Sequence, residues 1–271
     1  MRMRFALLAS GSKGNSFFLE DGGTKIMIDC GGTQRYLKDC YEKLGEKITD
    51  LDAVLITHDH SDHIAQIRMV KDLNIYSPVE IPDIDVFHVT AMRKFTVGCL
   101  EITPLPLSHD APGTTGYVLN DGEEKLSYVT DTGYLSENLQ KEIMDSDYVI
   151  LESNHDVGML MGTRRPQYLK SRIYSDTGHL NNEDAAEILS SVISEKTKMI
   201  ILAHISQEAN TRELALKTAR DAILNCGKKL HPDLRLCAAG QFEMIRKEAS
   251  YAETDCGSVY TSFGLECVSD L

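Results

Sequence analysis

The densest chemistry in this 271-residue chain lies in Thr57-His58-Asp59-His60-Ser61-Asp62-His63. Crowding imidazoles and carboxylates together costs desolvation and repulsion unless a cation organises them. Neutral imidazole nitrogens and carboxylate oxygens are ligands for zinc, manganese or iron. In this H-x-H-x-D-H spacing, His58 and His60 can point together from a loop while Asp62 and His63 turn to a second ion. A solvated His/Asp turn is the bland alternative. The apolar strand before the segment and the helical pattern after it weigh against that alternative.

The elements around the segment repeat one design, a short apolar run that ends in an acid or His and is followed by small or polar residues. It occurs at 25–29 (ending in Asp29), 53–58 (His58), 102–109 (His109), 126–131 (Asp131), 148–152 (Glu152) and 199–204 (His204). Runs of this length, rich in Val and Ile, read as buried strands. Side chains at their ends are aimed at one rim of a sheet, where α/β proteins commonly bind ligands. Residues 5–8, 16–20 and 25–29 suggest a small antiparallel meander. Helices are expected over 64–73, with Asp62 as cap, over 181–193, and over 208–225, closed by Gly227.

Lys and Arg total 28 against 41 Asp and Glu, a formal charge of −13. So acidic a chain is a poor bulk coat for nucleic acid, although a nuclease with its cations on one face remains open. No apolar run reaches the ~20 residues that cross a bilayer, and 5–9 is too short for a signal-peptide core, so a cytoplasmic location without membrane partners is expected. Seven cysteines (Cys30, Cys40, Cys99, Cys226, Cys237, Cys256 and Cys267) form no C-x-x-C pair and read as reduced, mostly buried thiols. With no linker or repeat, residues 1–271 read as one domain, the part from about 230 being unassigned.

H-x-H-x-D-H after an apolar strand, preceded by Ile28-Asp29-Cys30-Gly31, resembles the metallo-β-lactamase superfamily. Leu107-Ser108-His109, Val129-Thr130-Asp131-Thr132-Gly133 and Leu202-Ala203-His204-Ile205-Ser206 follow in that superfamily's order. The lactamases' characteristic Cys ligand is absent. Residues 9–15, 152–155, 178–184 and 203–206 are similar to the YycJ/WalJ (VicX) group, regarded as DNA-exonuclease-like and linked to a cell-wall two-component system. The resemblance implies an α+β fold, a four-layer αβ/βα sandwich, and two divalent ions (zinc, manganese or iron). His58, His60 and His109 would hold one ion, and Asp62, His63 and His204 the other, with Asp131 bridging. Asp62 also counts among the catalytic residues, since paired ions would clamp the attacking and leaving oxygens of a phosphoryl displacement.

Asp29 is expected to brace the ligand loop, or else to cap a turn. Of His155 and His179, either of which could protonate a leaving oxygen, His179 is favoured and His155 assigned a bracing role. The 10–15 loop, through Ser12 and Asn15, could cup a phosphate with its N–H groups or be a plain tight turn. Arg164, Arg165, Lys170 and Arg172 make an acid-free cation cluster that could track a phosphate backbone or be a solvated face. The expected function is hydrolysis of nucleic-acid phosphodiesters, most readily as a DNA exonuclease, with DNA ahead of RNA as partner. A glyoxalase-II-type thioester hydrolase and a non-catalytic regulator of a two-component system are the alternatives.

Overall fold

The structure, a computed structural model, describes residues 3–248 and 260–262. The chain opens with β1 (Arg4–Ala9), β2 (Ser16–Asp21) and β3 (Thr24–Ile28), the expected antiparallel meander. Helix α1 (Gln34–Leu44), β4 (Ala53–Leu55), the single turn α2 (Ser61–Ile64), β5 (Ile75–Ser77) and β6 (Phe87–His88) follow. Next come β7 (Phe95–Val97), β8 (Leu100–Pro106), β9 (Thr115–Asn120), β10 (Lys125–Val129), α3 (Glu137–Ile143) and β11 (Tyr148–Glu152). The order continues through α4 (Val157–Gly162), α5 (Gln167–Tyr174), α6 (Asn182–Val192), β12 (Met199–Ala203), α7 (Arg212–Asn225), β13 (Arg235–Ala238), β14 (Ile245–Lys247) and β15 (Tyr260–Ser262).

Among the described residues these strands make two sheets, ordered β14-β1-β2-β3-β4-β5-β6 and β15-β13-β12-β11-β10-β9-β8-β7. β3 to β6 are parallel neighbours, as are β10 to β13. The central strands β11 and β12 are buried along their whole length, which is why their sequences are continuously apolar. The inner faces meet over Phe5, Phe17, Tyr117, Tyr128 and Tyr148, with the Phe5 and Tyr148 rings edge-on at 5.1 Å. On the outside, Leu37, Cys40 and Tyr41 of α1 cover the first sheet. Ile188 and Leu189 of α6, with Leu216 and Ile223 of α7, cover the second. The result is the four-layer αβ/βα sandwich, each buried large side chain contributing about 1.5–3 kcal/mol.

Thr33, Asn181 and Thr211 cap α1, α6 and α7 through their side-chain oxygens. Two sequence expectations need correction. The helix expected over 64–73 is only the turn α2 and a 3₁₀ turn at Ile67–Met69, with Asp62 inside the turn instead of capping it. The carbonyls that would continue the helix are diverted, that of Asp62 to Asn15 N–H and that of His63 to Cys30 N–H. The third helix starts four residues late because Ser206 closes a separate turn by accepting from the N–H groups of Glu208 and Ala209. The segment from 230 adds β13 to the second sheet and β14 to the first, which sequence spacing could not show. Cys30, Cys40, Cys99 and Cys226 are free thiols and Cys237 is buried; Cys256 and Cys267 lie outside the described residues. Among those residues no helix is long and apolar enough to cross a membrane.

Candidate metal centre

The candidate ligands gather where the rims of the two sheets meet, and their orientation starts at Asp29. This fully buried carboxylate accepts from Thr57 N–H at 2.9 Å and from the Thr57 hydroxyl at 2.8 Å, fixing the chain as it leaves β4. It also accepts from His63 Nδ1 at 2.8 Å. The Thr57 oxygen, having donated its proton, takes the Nδ1 proton of His58 at 3.0 Å. His109 Nδ1 donates to the Gly178 carbonyl at 3.1 Å. All three imidazoles therefore carry a proton on Nδ1 and turn Nε2 inward, the arrangement that carboxylate and carbonyl partners impose on ligating histidines.

Three overlapping groups result, each with ligand atoms within 4.8 Å of one another: His58-His60-His109, His58-His63-Asp131, and Asp131-Glu152-His179-His204. Asp131 belongs to two of them, with Oδ2 at 3.4 Å from His63 Nε2 and Oδ1 at 3.0 Å from His204 Nδ1. Asp62 lies 3.6 Å from His63 Nε2. His58 Nε2 and Asp131 Oδ2 are buried without a hydrogen-bond partner among the described residues. Two acceptors left bare beside each other are costly, and both are suited to a cation. The donor set of imidazole nitrogen and carboxylate oxygen fits divalent zinc, manganese or iron.

Burial and neighbouring charges act on most of these groups in opposite directions. Burial, reinforced by the neighbouring His63, pushes His58 down to about 2, so it stays neutral. Burial also lowers His109. His63 is raised to about 9 because Asp29 and Asp131 outweigh its burial. Burial alone would raise Glu152, yet His179 and His204 hold it at about 2. Asp131 is likewise held well below the carboxylate range by His204 and His63 despite complete burial.

Sequence reasoning passed over Glu152 as a site residue, although its strand-end position was visible. Its Oε1 accepts from His179 Nδ1 at 2.7 Å and His204 Nδ1 at 2.9 Å, which brings His179 into the same cluster as Asp131. Asp110 was missed as well. It stands 3.4 Å from His109 Nε2 and 3.7 Å from His60 Nε2, and it pairs with Arg172.

Several expected contacts fall elsewhere. Asn15 is buried under the centre, donating to Asp62 Oδ2 at 3.1 Å and lying 2.9 Å from His63 Nε2, so it supports those residues instead of facing a substrate. The 10–15 loop has no row of free amides for a phosphate, because the N–H groups of Ser10, Gly11, Lys13, Gly14 and Asn15 all bond within the protein. Ser12 is exposed at the cleft rim. Lys170 turns inward and donates to the Met161 carbonyl at 2.6 Å, because its position falls on the buried face of α5. The cluster without acids in sequence acquires them in space: Glu208 pairs with Arg165 at 2.7 Å and Asp110 with Arg172. Arg165 and Arg172 still line the cleft over the centre; Arg164 is exposed and is not among the cleft's lining residues. His155 braces no candidate ligand. A bridge to Asn181 fixes its backbone, its ring packs edge-on to Tyr174 at 6.2 Å, and neither ring nitrogen has a hydrogen-bond partner among the described residues.

A two-sheet sandwich with a His/Asp centre at its rim defines a class. The β-lactamase superfamily domain matches residues 24–205, and the chain belongs to this superfamily of metal-dependent hydrolases. Within it, the chain is 35% identical to exodeoxyribonuclease YycJ of Bacillus anthracis over 229 residues, 79% of this chain and 87% of that one. It is equally similar, at 35% over 231 residues, to exodeoxyribonuclease WalJ of Streptococcus pneumoniae (79% and 86%). Among solved structures, the metallo-β-lactamase-fold protein YhfI of Bacillus subtilis superposes with a TM-score of 0.67 at 16% identity, covering 90% of this chain and 98% of that one.

Proposed function

We propose that this hydrolase cleaves phosphodiester bonds of nucleic acid, removing nucleotides from an end of DNA in preference to RNA. The observation that carries the reading is the sharing of Asp131 between two ligand groups beneath a cleft lined by Arg165 and Arg172. In this reading His58, His60 and His109 would hold one divalent ion and Asp62, His63 and His204 a second, with Asp131 within reach of both groups. Such ions would supply Lewis acidity toward the phosphoryl oxygens and make water nucleophilic at neutral pH. His179 donates a proton to the leaving oxygen through Nε2, while Glu152 holds its Nδ1. Arg165 and Arg172 exchange Glu208 and Asp110 for substrate phosphates. A small neutral thioester would need neither arginine, and the names of the two exodeoxyribonuclease relatives point the same way.

The test reconstitutes the protein separately with zinc, manganese and iron and offers 5′-labelled single- and double-stranded DNA, RNA, a chromogenic phosphodiester and a thioester. The expected result is metal-dependent release of mononucleotides from DNA. Thioester turnover with no cleavage of any polynucleotide refutes the proposal.

A further inference from the structure

Next to the cleft lies a second hollow of about 500 Å³. Ile205, Ser206, Gln207 and Gln241 line both, so the two form one groove. The far wall is the segment after β13, from the part of the chain whose sequence resembled nothing. Gln241 fixes that wall, its carbonyl accepting from Ser10 N–H at 3.2 Å and its Oε1 from Lys13 N–H at 3.1 Å, while its Nε2 donates to the Gly14 carbonyl at 3.1 Å. Phe242 follows at once and is 44% exposed. Its ring is held from behind by Tyr36, edge-on at 4.9 Å, and the Tyr36 hydroxyl is tied to the Leu8 carbonyl. The ring is thus held in place in an open groove, with a π-face available to a flat partner.

Charge indicates what covers it. Among the described residues, the only charged side chains lining this hollow are Arg212 and Glu243, paired with each other at 2.6 Å. The opposite side of the groove, over the candidate metal centre, carries Arg165 and Arg172. One end therefore suits phosphate and the other an uncharged, flat group with polar edges.

Resting on the phosphodiesterase reading, we propose that this hollow holds the nucleoside flanking the scissile phosphate, its base stacked on Phe242. Gln207 is exposed where the hollow meets the cleft and offers both a donor and an acceptor to a base edge. Because every base has a π-face, such a platform accepts any sequence. Phe242 is then a positioning residue that sets the terminal nucleotide against the centre.

The test uses the full chain with Phe242→Ala and Phe242→Tyr, and oligodeoxynucleotides carrying a single abasic residue at successive positions from the cleaved end. In wild type, an abasic residue at the flanking position should lower kcat/KM by about 5- to 150-fold, the usual worth of one stacked base. Phe242→Ala should lower kcat/KM on the intact strand by a similar factor, show no further abasic penalty, and keep its metal content. Phe242→Tyr should behave as wild type. On the metal-loaded protein, with a slowly cleaved phosphorothioate at the scissile linkage, 2-aminopurine at that position should be quenched on binding by wild type and not by Phe242→Ala. An abasic penalty of equal size in wild type and Phe242→Ala overturns the subsite and leaves the nuclease reading standing. Failure of wild type to cleave any oligonucleotide overturns both.

Discussion

Substituting Glu152 by Gln separates a proton donor from a metal ligand at His179. The buried carboxylate accepts from His179 Nδ1 at 2.7 Å, His204 Nδ1 at 2.9 Å and Thr132 N–H at 2.9 Å. Gln keeps the volume but has one acceptor oxygen and one NH₂. Whichever way the amide turns, it faces N–H with N–H, at Thr132 in one orientation and at both imidazoles in the other. Losing one charge-assisted bond costs about 1.5–3 kcal/mol, which corresponds to turnover slower by roughly 10- to 150-fold under saturating metal. His179→Ala removes the donor altogether and should slow turnover by roughly 10²–10⁴-fold. If Glu152 acts through His179 alone and not through His204, the double variant is no slower than His179→Ala alone. The assay is kcat on a labelled oligonucleotide and on a nitrophenyl diester, whose leaving group needs no proton, with metal content measured alongside. His179 also lies close enough to Asp131, Glu152 and His204 to help hold an ion itself. Loss of an ion from His179→Ala, or equal slowing on both substrates, would refute the donor assignment, whereas multiplying losses in the double variant would show that Glu152 acts through His204 as well.

Other expectations follow from the same geometry. Chelation should abolish turnover and lower Tm by roughly 5–10 °C, since ions at about a hundred times their Kd stabilise by ~2.7 kcal/mol; an unchanged Tm contradicts a loaded centre. In Gly31→Ala a Cβ would lie 1.8 Å from the Asp62 carbonyl oxygen and 2.5 Å from Asn15 N, so the loop must shift, and metal affinity should fall at least ~10-fold by titration. Arg172→Ala should slow oligonucleotide cleavage, spare the chromogenic ester, and flatten the salt dependence by about 0.7–0.9 log units per lost phosphate contact. Burial works against ionisation of Glu124, but Lys198, Tyr148 and Lys247 hold its carboxyl below the ordinary value. That increment is present above the unfolded value of about 4.3 and is lost as pH falls through the folded one, so Glu124→Gln should cost ~1–3 kcal/mol in urea unfolding at pH 7 and progressively less in acid.

What the sequence could and could not disclose divides along physical lines. Strand-end acids and histidines are local patterns, and parallel pairing of β10, β11 and β12 brings Asp131, Glu152 and His204 to one rim as the pattern implied. Glu152 escaped assignment because its partners, His179 and His204, lie 27 and 52 residues away and meet it only in the fold. The cation cluster misled for the same reason: Glu208 and Asp110 arrive from elsewhere, and Lys170 lies on the inner face of a helix whose orientation no local signal fixes. The 64–73 helix failed because its apolar spacing was sound but its carbonyls were claimed by Asn15 and Cys30.

The least legible feature is also the one that aims the site. Asp29, Asp131 and His204 all have left-handed backbone, with φ of 57°, 60° and 53°. Each stands within two residues of a strand end, where such a turn swings the side chain back over the rim instead of along the strand. For residues other than Gly the conformation costs about 1–3 kcal/mol and persists only where surroundings over-determine it. At Asp29 and His204 they do: Asp29 N–H donates to the Leu55 carbonyl, and its own carbonyl accepts from the Ser16 hydroxyl. His204 N–H donates to Ser10 Oγ at 2.7 Å, and its carbonyl accepts from Asn154 Nδ2 at 2.7 Å. Ser10 reaches across from the first sheet to a strand end of the second, so the strain in the ligand set is held by the packing of the two sheets against each other. A centre aimed in this way should tolerate changes on its exposed rim far better than changes at buried Ser10, Asn15 or Thr57, none of which touches substrate in the arrangement proposed.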